Sequence, residues 1–147
     1  MDHKEKALNY FSQKMHCSQS VIAAFAEECG ITEAQALKLG SCFGGGMRKG
    51  EVCGAVTGAL MVLGLLCGES KVGDAEGRLV SNKVNDLMMD RFKEKCGSYI
   101  CNDLLGCDIS TAAVTIFGQN SVNRLLSKQY LWPSAEVISQ PNKSLQI

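Results

Sequence analysis

Cysteine is the residue with the most chemistry to offer in this chain: eight thiols, at positions 17, 29, 42, 53, 67, 96, 101 and 107, among 147 residues. Thiolates bind zinc and iron–sulfur clusters and exchange with disulfides, whereas buried neutral thiols simply pack. An even number suggests first a disulfide-stapled secreted domain. Two features argue against it. A chain of this length buries about two-thirds of its unfolded surface without covalent help, and Met1 to Tyr10 is charged rather than apolar, so no secretory signal is expected. In a reducing cytoplasm, the expected location, surplus cysteines serve as hydrophobes, ligands or redox groups.

The elements that must position these thiols all read as helices. Ala7, Leu8, Phe11 and Met15 mark a first amphipathic helix, roughly Lys4 to Met15. A second begins near Cys17, carries Val21, Ile22, Phe25 and Cys29, and stops at Gly30. Thr32 with Gln35 forms a capping box opening a short third helix through Leu37 and Leu39, ended by Gly44 to Gly46. Val52 to Cys67 is the most apolar segment, uncharged, and reads as a central helix buried on nearly every side. Its glycines, Gly54 with Gly58 and Gly64 with Gly68, leave side-chain-free strips that let neighbouring backbones approach. At about 24 Å it falls short of the ~30 Å hydrocarbon core, so no membrane span is expected.

Beyond it, Gly73 to Cys96 holds a long helix with Val80, Val84, Leu87, Met88 and Phe92 on its apolar stripe, and Ser98 to Leu105 a short one ended by Gly106. Ser110 or Thr111 can cap a further helix through Ala113, Ile116 and Phe117, and Val122, Leu125 and Leu126 suggest one more. Residues 132–147 read as a mobile tail. The expectation is therefore an all-α single domain, residues 1–131, of about six to seven helices bundled around the glycine-rich central helix.

Helix geometry limits which thiols can share a centre. Cys53 and Cys67 would lie about 21 Å apart along one axis, and Cys17 and Cys29 about 18 Å. Each helix therefore contributes at most one ligand. Cys17 and Cys53 both stand at helix starts, where the dipole lowers a thiol pKa and favours an anionic centre. Cys101 and Cys107 flank a turn at Gly106 that can bring them together. Cys29, Cys42 and Cys67 read as buried hydrophobes, and Cys96 has no assigned place. The spacing matches neither a zinc ribbon nor a ferredoxin run, so a shared site at 17, 53, 101 and 107 stays open beside its alternatives.

His16-Cys17-Ser18-Gln19-Ser20-Val21, Phe43-Gly44-Gly45-Gly46-Met47, Gly50-Glu51-Val52-Cys53-Gly54-Ala55-Val56-Thr57-Gly58-Ala59-Leu60 and Cys101-Asn102-Asp103-Leu104-Leu105-Gly106-Cys107-Asp108 together resemble the C_GCAxxG_C_C family of redox proteins. The likeness covers about Leu8 to Thr111. It implies that the family's four cysteines fall on Cys17, Cys53, Cys101 and Cys107. A related helical domain in split-Soret cytochromes implies an iron–sulfur cluster, so [2Fe–2S] is the sharper expectation, with the same four residues as ligands and redox groups. The chain after Thr111 departs from the family tail, and no Cys-x-x-Cys-His haem motif is present.

Three functions follow. The first is a redox protein holding a cluster on Cys17, Cys53, Cys101 and Cys107 for electron transfer, with Arg48 and Lys49 offsetting charge. The second is metal-free thiol–disulfide chemistry with Cys53 attacking and Cys17, Cys101 or Cys107 resolving. The third is a binding module with a structural four-cysteine zinc site. Gly44 to Gly46 lacks the ending and the preceding strand of a phosphate loop. His16 reads as an exposed helix-end residue and His3 as frayed terminus. Balanced charges, 15 against 15, give no basic field for nucleic acid. A homodimer and an unidentified redox partner complete the expectation.

Overall fold

The computed structural model describes residues 1–111. They form six α-helices and one irregular turn, with no strand among the described residues. The helices are α1 (His3–Ser12), α2 (Cys17–Ala24), α3 (Glu33–Gly40), α4 (Gly54–Cys67), α5 (Ala75–Cys96) and α6 (Cys101–Leu105). The helices expected after Ser110, the domain boundary at 131 and the tail lie outside the described residues.

Local sequence explains most boundaries. Asp2 caps α1 reciprocally: its Oδ1 accepts from Glu5 N–H at 2.7 Å, and its own N–H donates to Glu5 Oε2 at 3.1 Å. Thr32 and Gln35 close the expected capping box on α3. Asp74 accepts from Gly77 N–H at 2.8 Å to start α5, and Gly97, at φ 87°, ends it. Several elements are shorter than expected. α1 ends at Ser12, and Lys14 takes a positive φ of 66°. α2 stops at Ala24, and residues 25–30 continue as turns to Gly30. α3 ends at Gly40, ahead of the glycine run. The short helix expected from Ser98 begins at Cys101 instead, because Ser98 Oγ accepts the Ile100 N–H and folds the approach into a turn.

The centre is shared between two helices. α2 packs against α1, α3 and α4, while α4 also packs against α5. Every residue of α2 except Gln19 is buried. α4 is enclosed as far as Leu63: Ala55, Val56, Ala59, Val62 and Leu63 are buried, whereas Gly64 and Leu65 are exposed. The expectation of burial on nearly every side is corrected for its last turn: α2 and α5 both pack on α4, but Leu66 and Cys67 are only half-buried and the helix end reaches solvent. Leu87, expected in the core stripe of α5, is also exposed.

Glycines set the α2–α4 crossing. A Cβ on Gly58 would lie 2.9 Å from the Ser18 carbonyl oxygen and 3.0 Å from Val21 Cβ. One on Gly54 would lie 3.2 Å from Cys17 Cβ. The backbones therefore meet closely at the end where Cys17 and Cys53 stand. Ser18, fully buried, donates to the Gly40 carbonyl at 2.7 Å and ties α3 to the same crossing. The core falls into two clusters. One contains Phe11, Cys17, Val21, Cys53, Val56, Leu63, Met88 and Phe92. The other contains Ala7, Ile22, Phe25, Ala36 and Val62. His3 is not frayed: its ring stacks on Phe25 at 4.0 Å and contacts Glu28 at 2.5 Å.

Candidate functional site

The residues around Cys53 are arranged by an unusual piece of backbone. Gly45, Gly46, Met47 and Arg48 all take positive φ, 61°, 57°, 55° and 62° in turn. Left-handed backbone costs a residue with a Cβ about 1–2 kcal/mol, so glycines lead into it and two side-chain residues carry the strain. Gly50, again at positive φ, sits so close to Asn102 that a Cβ there would collide with its side-chain amide. The turn thus packs on α6. Gly44 in the same way leaves space for the His16 ring.

From this turn the chain enters a one-step antiparallel bridge, Val52 against Ile100. Cys53 N–H donates to the Tyr99 carbonyl at 2.8 Å, and Cys101 N–H donates to the Glu51 carbonyl at 2.6 Å. The bridge fixes Cys53, as N-cap of α4, beside Cys101, the first residue of α6. Cys17 is the first residue of α2, which crosses α4 at its glycine face. Three cysteines from three segments therefore stand at three helix starts. Cys17, Cys53 and Cys101 are all buried, Cys53 to 2 % exposure.

Burial governs the electrostatics of these thiols and revises one expectation. Burial pushes the Cys17 thiol well above its ordinary pKa, with the charges of Cys53 and Cys101 adding to it. Burial, then Cys53 and Cys107, push Cys101 up to about 12. Cys53 is also raised by burial, although the Ala55 and Val56 N–H groups at the start of α4 pull the other way and Cys96 adds to the rise. The helix-start effect is present, but desolvation outweighs it. In the absence of a cation these three groups are neutral thiols at neutral pH.

Cys107 lies half-buried past the left-handed Gly106 cap of α6, and its charge adds to the rise at Cys101. Cys29 and Cys67 are half-buried and Cys42 is exposed, so none of these three is the fully buried hydrophobe expected. Cys67 donates to the Leu63 carbonyl at 3.0 Å. Cys96, unassigned from sequence, packs against the cluster that contains Cys53. His16 is exposed, and Arg48 and Lys49 lie on the solvent side of the turn. Among the described residues, no three histidine, cysteine, aspartate or glutamate side chains stand at separations that would hold a metal ion. No helix among them is long and apolar enough to cross a membrane.

A groove of about 600 Å³ lies elsewhere, between α1 and the turn after α2, lined by residues such as Lys6, Tyr10 and Glu33. No cysteine lines it.

The family model described as "Putative redox-active protein (C_GCAxxG_C_C)" matches residues 15–129. No curated protein matches the chain. No solved structure matches it either. The chain belongs to the C_GCAxxG_C_C family.

Proposed function

We propose that this member of the C_GCAxxG_C_C family uses Cys17, Cys53, Cys101 and Cys107 as thiolate ligands of an iron–sulfur cluster, of the [2Fe–2S] type, and carries electrons. The observation that carries this reading is the placement of buried Cys17, Cys53 and Cys101 from three segments at three helix starts. Raised pKa values make these poor free nucleophiles, which counts against Cys53 as an attacking thiolate toward outside substrates. Thiolates are the donors a soft metal centre takes, and coordination would remove the proton that burial otherwise holds in place; the sulfurs would have to draw together around the cluster from separations that hold no metal ion as they stand. When bound, such a cluster supplies one-electron transfer at a potential set by burial, charge and hydrogen bonds to its sulfurs.

The protein's own residues have defined tasks in this reading. The Ala55 and Val56 N–H groups face the Cys53 sulfur and stabilise negative charge on it. The Val52–Ile100 bridge holds Cys53 and Cys101 in register. Phe11, Val56, Leu63, Met88 and Phe92 keep water away from one side. Arg48 and Lys49, on the exposed turn, offset charge toward an acidic redox partner. A reducing compartment such as the cytoplasm and a homodimeric state belong to the same proposal; light scattering at micromolar concentration tests the latter.

The test is a panel of single serine substitutions. After anaerobic reconstitution with iron and sulfide, Cys17→Ser, Cys53→Ser, Cys101→Ser and Cys107→Ser each lose most of the bound iron, while Cys29→Ser and Cys42→Ser keep it. Full iron retention in the four variants overturns the assignment.

A further inference from the structure

Neither the cysteine spacing nor the family motif gives Cys96 a role, yet it packs on the same apolar cluster as Cys53. It is the last residue of α5, half-buried, and packs against the cluster in which Cys53 is buried. Chain geometry supports the same placement. Three residues after Cys96, the Tyr99 carbonyl takes the Cys53 N–H at 2.8 Å. Three residues of chain reach no further than about 10 Å, so the backbone of Cys96 is held near that of Cys53. The helix end is also adjustable. Gly97 follows in left-handed conformation, and its N–H bond to the Lys93 carbonyl, 2.8 Å, is the last of the helix. A disulfide to Cys53 would require this terminal turn to open and bring the Cys96 sulfur to bonding distance.

We infer that Cys96 and Cys53 form a reversible disulfide when the protein meets a low-molecular-weight disulfide, a covalent state that withdraws Cys53 from the shared thiol site. The half-exposed Cys96 thiolate attacks one sulfur of the oxidant RSSR, forming a Cys96–S–S–R bond and releasing RS⁻. The Cys53 thiolate then attacks the Cys96 sulfur, forming the Cys53–Cys96 bond and releasing the second RS⁻. The two protons lost by the protein thiols end on these anions, so RSSR is reduced to two RSH by the electron pair the protein gives up. Cys53 has a small thiolate fraction, but the second step is intramolecular, and high effective concentration offsets that handicap. The bond itself needs no metal; only its consequence, blocking ligation by Cys53, rests on the cluster reading.

The experiment uses the purified full chain, stripped of metal and treated with oxidised glutathione under nitrogen. Chymotrypsin cuts at leucines between Cys53 and Cys67 and at Tyr99, between Cys96 and Cys101, so each sulfur is assigned by mass spectrometry. The expected result is a dominant peptide pair joining Cys53 to Cys96, reversed by dithiothreitol, and a Cys96→Ser chain in which Cys53 stays unoxidised. A map joining Cys53 to Cys17, Cys101 or Cys107, or leaving it a thiol in the wild-type chain, overturns the inference. Iron uptake is read separately under reducing conditions. A Cys96→Ser chain that takes up as much iron as wild type is expected, and one that loses it overturns the inference by making Cys96 a ligand. Absence of iron from every form, with the Cys53–Cys96 link present, sinks the cluster reading and leaves this one standing.

Discussion

The backbone N–H of Cys53 donates to the carbonyl of Tyr99 at 2.8 Å. This contact, with its companion from Cys101 to Glu51, joins two segments nearly fifty residues apart in sequence and sets two cysteines side by side at two helix starts. It also closes the apolar pocket around them, and burial then controls their acid–base behaviour.

Alkaline pH destabilises the metal-free protein. Cys101 is pushed up to about 12 and Cys29 to about 11, mainly by burial, against an ordinary thiol value of 9.0. The folded chain therefore keeps protons that the unfolded chain releases. This contribution is fully present below the ordinary value and drains away as pH rises from about 9 toward about 12. Thermal melts from about pH 8 to about pH 11 show Tm falling steadily; a flat profile contradicts the burial assigned to these thiols.

The α2–α4 crossing tolerates no side chain at Gly58. A Cβ there would meet the Ser18 carbonyl oxygen at 2.9 Å, whereas at Gly64 it would meet nothing within 4 Å. Gly58→Val costs about 2–3 kcal/mol in denaturant unfolding. Gly64→Ala gains up to about 1 kcal/mol from helix propensity. Equal effects at the two positions would mean that the close approach lies elsewhere.

Arg48 is held at φ 62° with an exposed side chain. Arg48→Gly relieves that strain and raises stability by about 0.5–1 kcal/mol, while Arg48→Ala gives no gain. Chemical denaturation of the two variants separates strain from charge, since both remove the cation.

Much of the fold was legible in the sequence. The Thr32–Gln35 capping box, the Gly106 stop and the Val84–Met88–Phe92 stripe are local signals, and the structure follows them. The positions of Cys17 and Cys53 at helix starts were also readable, because each precedes an apolar run. Four things were not. The left-handed path through Met47 and Arg48 breaks the local preference of both residues and exists only because the surrounding glycines and Asn102 leave that route. The Val52–Ile100 bridge is a single long-range pairing with no alternation to announce it. The neighbourhood of Cys96 and Cys53 depends on that bridge, so spacing alone had no means of finding it. The raised thiol pKa values were missed for a related reason: helix starts are visible in sequence, but the depth of burial that outweighs them is a tertiary property.

The most direct measurement is the visible spectrum and iron content of the protein purified without oxygen. The account predicts sulfur-to-iron charge-transfer bands with about two irons per chain, both lost when Cys53 is replaced by serine. A colourless protein that stays iron-free after reconstitution, with all of its thiols titratable, contradicts it.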